Sequence, residues 1–379
     1  MANLAEGGRS LRIIFDHQAF SLQVTGGITR YYFELIRRLN LIRDVSTEAQ
    51  LGFCTTVWPM QDAFRPNGRL LHWGPRLVGS GVGSYLINEA LLEAFNVTQA
   101  KCDIYHNTLY RFMPGVRARR YVATHHDCTI ERFPHLFREA SLVMKAKRNM
   151  FRKADLVFCV TEASRNDLHE FYDFDRSRTV VVTNGSEPLP RSTNAERKLK
   201  ERVIRPFVLY VGTRMAYKNF TGFLNAFSAL DLQRDYDIVA IGGGAFSEAE
   251  LGEVKRLGLQ STMVRVPLAD AETLGEAYAA ASLFVYPSLY EGLGLPPLEA
   301  MEKGCPVLAS STPASVEVCK DAALFFNPFD EEDFARKLQL ALQDSPERRT
   351  RVERGYEVCK LYCWDDVVRK MVEAYRSIL

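Results

Sequence analysis

Short apolar runs separated by polar loops alternate along the chain with longer segments in which apolar residues recur every three or four positions. Leu11–Phe15, Ile104–Asn107, Arg120–Thr124, Leu156–Val160 and Thr179–Val182 read as strands in the first half. Phe207–Val211, Tyr236–Ile241, Val264–Leu268, Leu283–Tyr286, Pro306–Ala309 and Ala323–Phe326 follow in the second. Near-continuous apolar runs of this kind suit strands covered on both faces. Between them a helix is expected at Ile28–Asn40, with Ile28, Tyr31, Tyr32, Leu35, Ile36 and Leu39 on one face. Others are expected at 138–153 with Val143, Ala146, Met150 and Ala154 inward, after Thr161, at Phe220–Phe227, after Asp270 and after Thr312. From Asp330 onward the pattern is helical, ending in the amphipathic tail Val367–Leu379. Strand and helix in turn specify an α/β protein with parallel sheets. Residues 41–110 are less regular, with a strand-like run at Gln50–Val57, a helical one near Tyr85–Phe95 and a Pro/Gly-rich surface excursion at 65–84.

One stretch organises the rest. The strand Leu283–Tyr286 ends at Pro287, and a loop with Tyr290, Glu291, Gly292 and Gly294 follows. Pro296 and Pro297 suit a first helical turn, and Pro306 opens the next strand. Strand, glycine loop, helix, strand is one turn of a doubly wound sheet, whose ligands sit at the carboxyl ends of the strands against helix N-termini. Glu291 and Glu299 lie eight residues apart in that turn. An acidic residue near a helix start also has a plain structural use, stabilising the helix dipole by about 0.3–1 kcal/mol.

Other strand ends carry candidate chemistry. Gly26-Gly27 opens the first long helix, either as a tight turn or as an anion-binding helix start. Arg120–Thr124 delivers His125-His126-Asp127, which spacing alone leaves without a third metal ligand. Gly212 to Asn219 places Arg214 and Lys218 after a strand, as surface charges or as a pyrophosphate clamp. Gly242-Gly243-Gly244 lacks the spacing of a dinucleotide fingerprint but permits close approach of a flat ligand. Asp173-Phe174-Asp175 sits between a helix and a strand, where capping and turn formation explain it. In the helix at 138–153, Arg138, Lys145, Lys147, Arg148, Arg152 and Lys153 face a single acid, Glu139. That is either a solvated face or a surface for anionic lipid.

At 379 residues the chain suits two domains, and its net charge of +2 implies no field for nucleic acid. Its eight cysteines include no Cys-x-x-Cys pair, the start is polar, and no apolar run is long enough to span a membrane. A reducing cytoplasm is the expected compartment.

Gly26-Gly27, His126-Asp127, Asn184-Gly185, Lys218-Asn219 and the Glu291/Glu299 pair occur in an order that resembles the retaining glycosyltransferases of family four. The resemblance implies a GT-B fold, two doubly wound Rossmann-like domains facing a central cleft. It implies an acceptor-side domain at 1–185 to which helix 365–379 returns, a linker at 186–205, and a donor domain at 206–364. By the same resemblance His126, Asp127 and Glu291 are catalytic. Gly26, Gly27, Gly212, Arg214, Lys218, Gly243, Val266, Leu268, Gly292, Leu293, Gly294, Leu295 and Glu299 hold the donor, Glu299 through the ribose. Where other members place the clamp's arginine this chain has Thr213 or Tyr217, leaving Arg214 as substitute. The implied reaction moves a hexose from a nucleotide-diphosphate sugar, GDP-mannose-like in preference, to a glycan or lipid-linked acceptor in cell-surface polysaccharide synthesis, with no cofactor or metal. Peripheral contact at the inner membrane face is implied for 138–153. The rival readings are a GT-B epimerase, needing no acceptor, and a non-catalytic subunit of a glycan-assembly complex.

Overall fold

A computed structural model describes residues 10–22, 26–49, 88, 90, 101–112, 116–267 and 270–379. The expected strand Gln50–Val57, the excursion at 65–84, nearly all of the helix near Tyr85–Phe95, and Leu268 lie outside these. The chain divides into two compact units, one made of Met1–Gly185 with Trp364–Leu379, the other of Ser186–Cys363.

The first unit is built on a parallel sheet of six described strands: β1 Leu11–Phe15, β2 Val45–Ala49, β3 Lys101–Asn107, β4 Arg117–His125, β5 Leu156–Cys159 and β6 Thr179–Val181. Their order is β2-β1-β3-β4-β5-β6. Strand β2, reading Val-Ser-Thr-Glu-Ala, escaped the hydrophobic pattern because it is an edge strand with alternate residues turned toward solvent. The helix Gly27–Leu39 buries Tyr31, Tyr32, Leu35, Ile36 and Leu39 against this sheet, as its spacing predicts. The helix Trp364–Ser377 adds Trp364, Val367, Met371 and Tyr375 to the same core. Tyr375 Oη lies 2.6 Å from His106 Nδ1, and His106 Nε2 lies 2.8 Å from Thr124 Oγ1.

The second unit repeats the plan with β7 Phe207–Val211, β8 Asp237–Ile241, β9 Met263–Val266, β10 Leu283–Tyr286, β11 Val307–Ser310 and β12 Leu324–Phe326. All neighbours are parallel in the order β12-β11-β10-β7-β8-β9. The sheet therefore grows to one side from β7 through β9 and to the other from β10, with its switch point between β7 and β10.

Two local expectations change, and a third, a capping role within Asp-Phe-Asp, holds. Residues 186–205 are more than a linker, since helix Thr193–Lys200 seats Ala195 and Leu199 in the second unit and Arg191 pairs with Glu276 at 3.1 Å. In helix Ala140–Lys153 the buried residues are Ala140, Lys147, Met150 and Phe151, a face rotated from the one expected. Phe151 sets that rotation by packing on Tyr172 and His125, with ring centroids 4.9 and 5.6 Å away. Lys147 is thereby removed from the solvent-facing charges. Asp175, within Asp-Phe-Asp, caps the short turn Arg176–Arg178 by accepting from Ser177 N–H at 2.9 Å, while Phe174 is buried.

Candidate functional site

The loops leaving β7 and β10 flank the switch point, where a sheet of this topology opens at its carboxyl edge. After β7 the chain turns at Gly212 (φ +143°) and makes one 3-10 turn, Ala216–Lys218. Asn219, in the left-handed conformation, then joins this turn to helix Phe220–Ala229. After β10 the loop ends at Gly294 (φ +94°), which caps helix Leu295–Glu302. A Cβ at Gly294 would also stand 3.1 Å from Tyr286 Oη. The two loops are tied together, Leu289 N–H donating to the Tyr217 carbonyl at 2.7 Å.

Lys218 Nζ meets Glu291 Oε1 at 2.6 Å across this join, their side chains 19% and 12% exposed. Two residues assigned separately from sequence are thus one ion pair. Glu299 is buried one turn into the helix behind Gly294, and its Oε2 accepts from Tyr278 Oη at 3.3 Å. Burial, then the Glu291 carboxylate beside it, hold the Tyr286 hydroxyl well above its ordinary pKa, so it stays a donor. The stretch Gly292–Leu295 runs into a helix start where Pro296 and Pro297 carry no N–H, so any amide that meets an anion there comes from the stretch before them.

Arg214 has another use. Its side chain is 3% exposed and paired to Glu250. Its Nη1 donates to the Gly242 carbonyl at 2.7 Å, and its Nη2 to those of Gly243, Gly244 and Ala245 at 3.2, 3.3 and 2.9 Å. It also stacks 4.5 Å over the Phe246 ring. Gly242, Gly243 and Gly244 all have positive φ, so their carbonyls curl around one guanidinium in a way side chains would forbid. Arg214 is therefore the pin of the glycine loop after β8 rather than an open clamp. Glu250, which completes it, was not foreseen. Burial opposes the ionised form of Glu250, but Ser247 N–H and Arg214 hold its pKa below the usual value. Val266 is buried at the end of β9.

In the first unit Gly26 caps helix Gly27–Leu39 in extended conformation, and a Cβ at Gly27 would meet nothing within 4 Å among the described residues. Among the described residues nothing demands a glycine at position 27. His126 and Asp127 stand just past β4. The His126 ring lies edge-on to Tyr31 and Tyr32, at 5.4 and 5.8 Å, and its Nε2 is screened from solvent. Burial lowers its pKa to about 4, Asp127 opposing and Lys147 reinforcing. Asp127 Oδ1 accepts from Thr129 N–H at 2.8 Å. Asp16, unremarked in the sequence, closes the loop after β1 by accepting from Gln18 and Thr108 N–H at 3.1 and 3.2 Å and from Asn107 Nδ2 at 2.8 Å. Only its position after a strand could have signalled it.

The second unit is thus a doubly wound sheet whose switch point carries a Lys–Glu pair, a glycine-capped helix start and a buried second glutamate. Two family descriptions match consecutive stretches: Glycosyltransferase Family 4 over residues 25–188, and Glycosyl transferases group 1 over residues 191–358. The chain belongs to the family four glycosyltransferases and is an enzyme of that class. It is 28% identical to O-antigen chain mannosyltransferase B of Escherichia coli over 389 aligned positions, covering 97% of this chain and 100% of that one. Among solved structures it resembles sucrose-phosphate synthase of Thermosynechococcus elongatus, with TM-score 0.74, 20% identity and 97% and 99% of the two chains covered. It also resembles Anabaena HepE in complex with UDP-glucose, with TM-score 0.71, 15% identity and 97% and 100% covered. The fold is GT-B.

Proposed function

We propose that this enzyme transfers a hexose, mannose from GDP-mannose in preference, to a glycan or lipid-linked acceptor during assembly of a cell-surface polysaccharide. The observation that carries the reading is the Lys218–Glu291 pair at the switch point, with Glu299 buried on the helix that follows. The preference for mannose rests on the O-antigen chain mannosyltransferase that matches this chain over nearly its whole length.

In this reading Lys218 and the amides of Gly292–Leu295 stabilise charge growing on the departing diphosphate, the role a divalent cation fills elsewhere. The bond from anomeric carbon to phosphate oxygen breaks, the acceptor oxygen bonds on the same face, and its proton passes to the leaving phosphate. Configuration is retained. Glu291 addresses the donor sugar, Glu299 the ribose, and His126 and Asp127 take catalytic roles. The charge Arg214 was assigned toward diphosphate passes instead to ordering the loop after β8.

Helix Ala140–Lys153 keeps Lys145, Arg148, Arg152 and Lys153 exposed, with Leu142 beside them. Each cation near an anionic bilayer contributes about 1 kcal/mol, and we assign this face to peripheral membrane contact. Among the described residues no helix is long and apolar enough to cross a membrane. Liposome flotation tests the contact, with binding expected to rise with anionic lipid content and the assignment lost if it does not.

Incubation with GDP-mannose, UDP-glucose and related donors plus lipid-linked glycan primers tests the reaction. Acceptor-dependent nucleotide release is expected, strongest with GDP-mannose, and lost in folded Lys218→Met or Glu299→Gln. Turnover unchanged in both variants removes the site assignment. An NMR time course of the product reads the anomer, and an inverted one refutes retention.

A further inference from the structure

We propose that Lys147 is a positioning residue for the transfer reaction, buried beside His126-Asp127, fixing the Asp127 backbone by a hydrogen bond and acting on His126 through its charge. The inference rests on the catalytic roles assigned above to those two residues. Lysine is almost never fully buried without a partner. Lys147 is 5% exposed, and its Nζ stands 2.6 Å from Oε1 of Glu131, whose side chain is fully buried. The same Nζ donates to the backbone carbonyl of Asp127 at 3.0 Å. Tyr172 Oη donates to the same Glu131 oxygen. Asp127 in turn accepts from Thr129 N–H, the first residue of the helical turn Thr129–Arg132 that carries Glu131. Strand end, turn and helix are thus closed into one ring of polar contacts around the residue next to His126.

An apolar side chain of similar size would fill this place as well or better, because a buried ion pair seldom adds net stability. What an apolar side chain would not supply is a fixed direction for the Asp127 carbonyl and a positive charge beside the pair. Burial opposes ionisation of Asp127, and Lys147 leads the groups that nonetheless hold its carboxyl below the ordinary value. Burial lowers His126, and Lys147 adds to it. At neutral pH the pair is a neutral imidazole beside a carboxylate. Glycosyl transfer builds positive charge on the sugar ring, which a protonated His126 would oppose. The neighbouring groups on the strand end and turn are His125, Cys128 and Glu131. Helix Gly27–Leu39 presents Tyr31 and Tyr32, strand β3 presents His106, and the side of helix Glu162–Phe171 presents Asp167, His169 and Tyr172. Among the described residues Lys147 is the lysine or arginine that bears on both members of the pair.

The test is the full enzyme with Lys147→Met, Lys147→Arg and Glu131→Gln, read by histidine-labelled NMR titration, with His126→Gln to assign the signal, and by transfer kinetics against pH. In Lys147→Met the His126 imidazole is expected to take its proton roughly one pH unit higher than in the parent. The acidic limb of kcat is expected to move with it, and kcat to fall about tenfold or more while donor KM stays within about twofold. Lys147→Arg should recover most of both. If Lys147→Met does not fold, Glu131→Gln keeps the lysine charge but frees its anchor, so kcat should fall while His126 titrates no higher than in the parent. An unmoved His126 titration in folded Lys147→Met, or Glu131→Gln with parental kcat, overturns the proposal. A moved titration with unchanged turnover overturns the role of His126 in the reaction and leaves the coupling to Lys147 standing.

Discussion

Lys218 and Glu291 are 73 positions apart in sequence and share one short contact. Neither is buried deeply enough to carry the penalty of a fully desolvated pair, so the pair supports the loops modestly while keeping both groups at the switch point. A double-mutant cycle with Lys218→Met and Glu291→Gln, followed by urea unfolding, should give a coupling energy of about 0.5–3 kcal/mol, and simple additivity would deny the contact. Arg214 makes a different prediction. Lysine keeps the charge but loses the planar fork that reaches four carbonyls and Glu250. Arg214→Lys should therefore raise donor KM about tenfold with kcat nearly constant, because loop order is lost and the chemistry is not. A collapse of kcat at unchanged KM in steady-state kinetics would return Arg214 to the diphosphate.

Helix Leu295–Glu302 shows how an element can be placed by one residue. It begins on two prolines, which supply no N–H but accept the helical φ, and it is reached through Gly294 in a conformation costly for any side chain. Gly294→Ala should destabilise the second unit by about 1–3 kcal/mol, through backbone strain and the encounter with Tyr286 Oη. Donor affinity should weaken with it, since the amides before the helix move. Thermal melts and nucleoside diphosphate titration check both, and an unshifted melt would show that the loop relaxes without cost. Helix Ala140–Lys153 makes the complementary point, because its rotation is set by Phe151 against Tyr172 and His125.

Across the whole molecule, acid should be the weak side of the stability profile. Burial, the leading cause, lowers His106 to about 3 and His126 to about 4, while in an unfolded chain they titrate near 6.5. Between those values the unfolded state binds more protons, so stability present above about pH 6.5 is lost as pH falls toward 4. Lower still, Asp127 and Glu250, held below their ordinary values, lose their contribution as they protonate, whereas Asp16, raised by burial, works the opposite way. Unfolding free energies from urea titrations at roughly pH 7, 5.5 and 4.5 should fall steadily, by on the order of 1 kcal/mol per histidine for each unit. His106→Gln and His126→Gln should flatten that slope, and a flat profile in the parent would contradict it.

The hydrophobic pattern by itself determined the element types, most strand positions and the α/β class, because periodicity is a local property and both sheets are buried on two faces. It also placed Glu291, Glu299 and Lys218 at strand ends and a helix start, where ligands of such sheets bind. Strand order is not local, and only the tertiary structure put β7 beside β10 and so brought Lys218 onto Glu291. Burial of a charge is no more local. Lys147 and Arg214 look like their solvated neighbours in sequence, and only packing from distant segments decided that one lies beside His126-Asp127 and the other inside a ring of carbonyls.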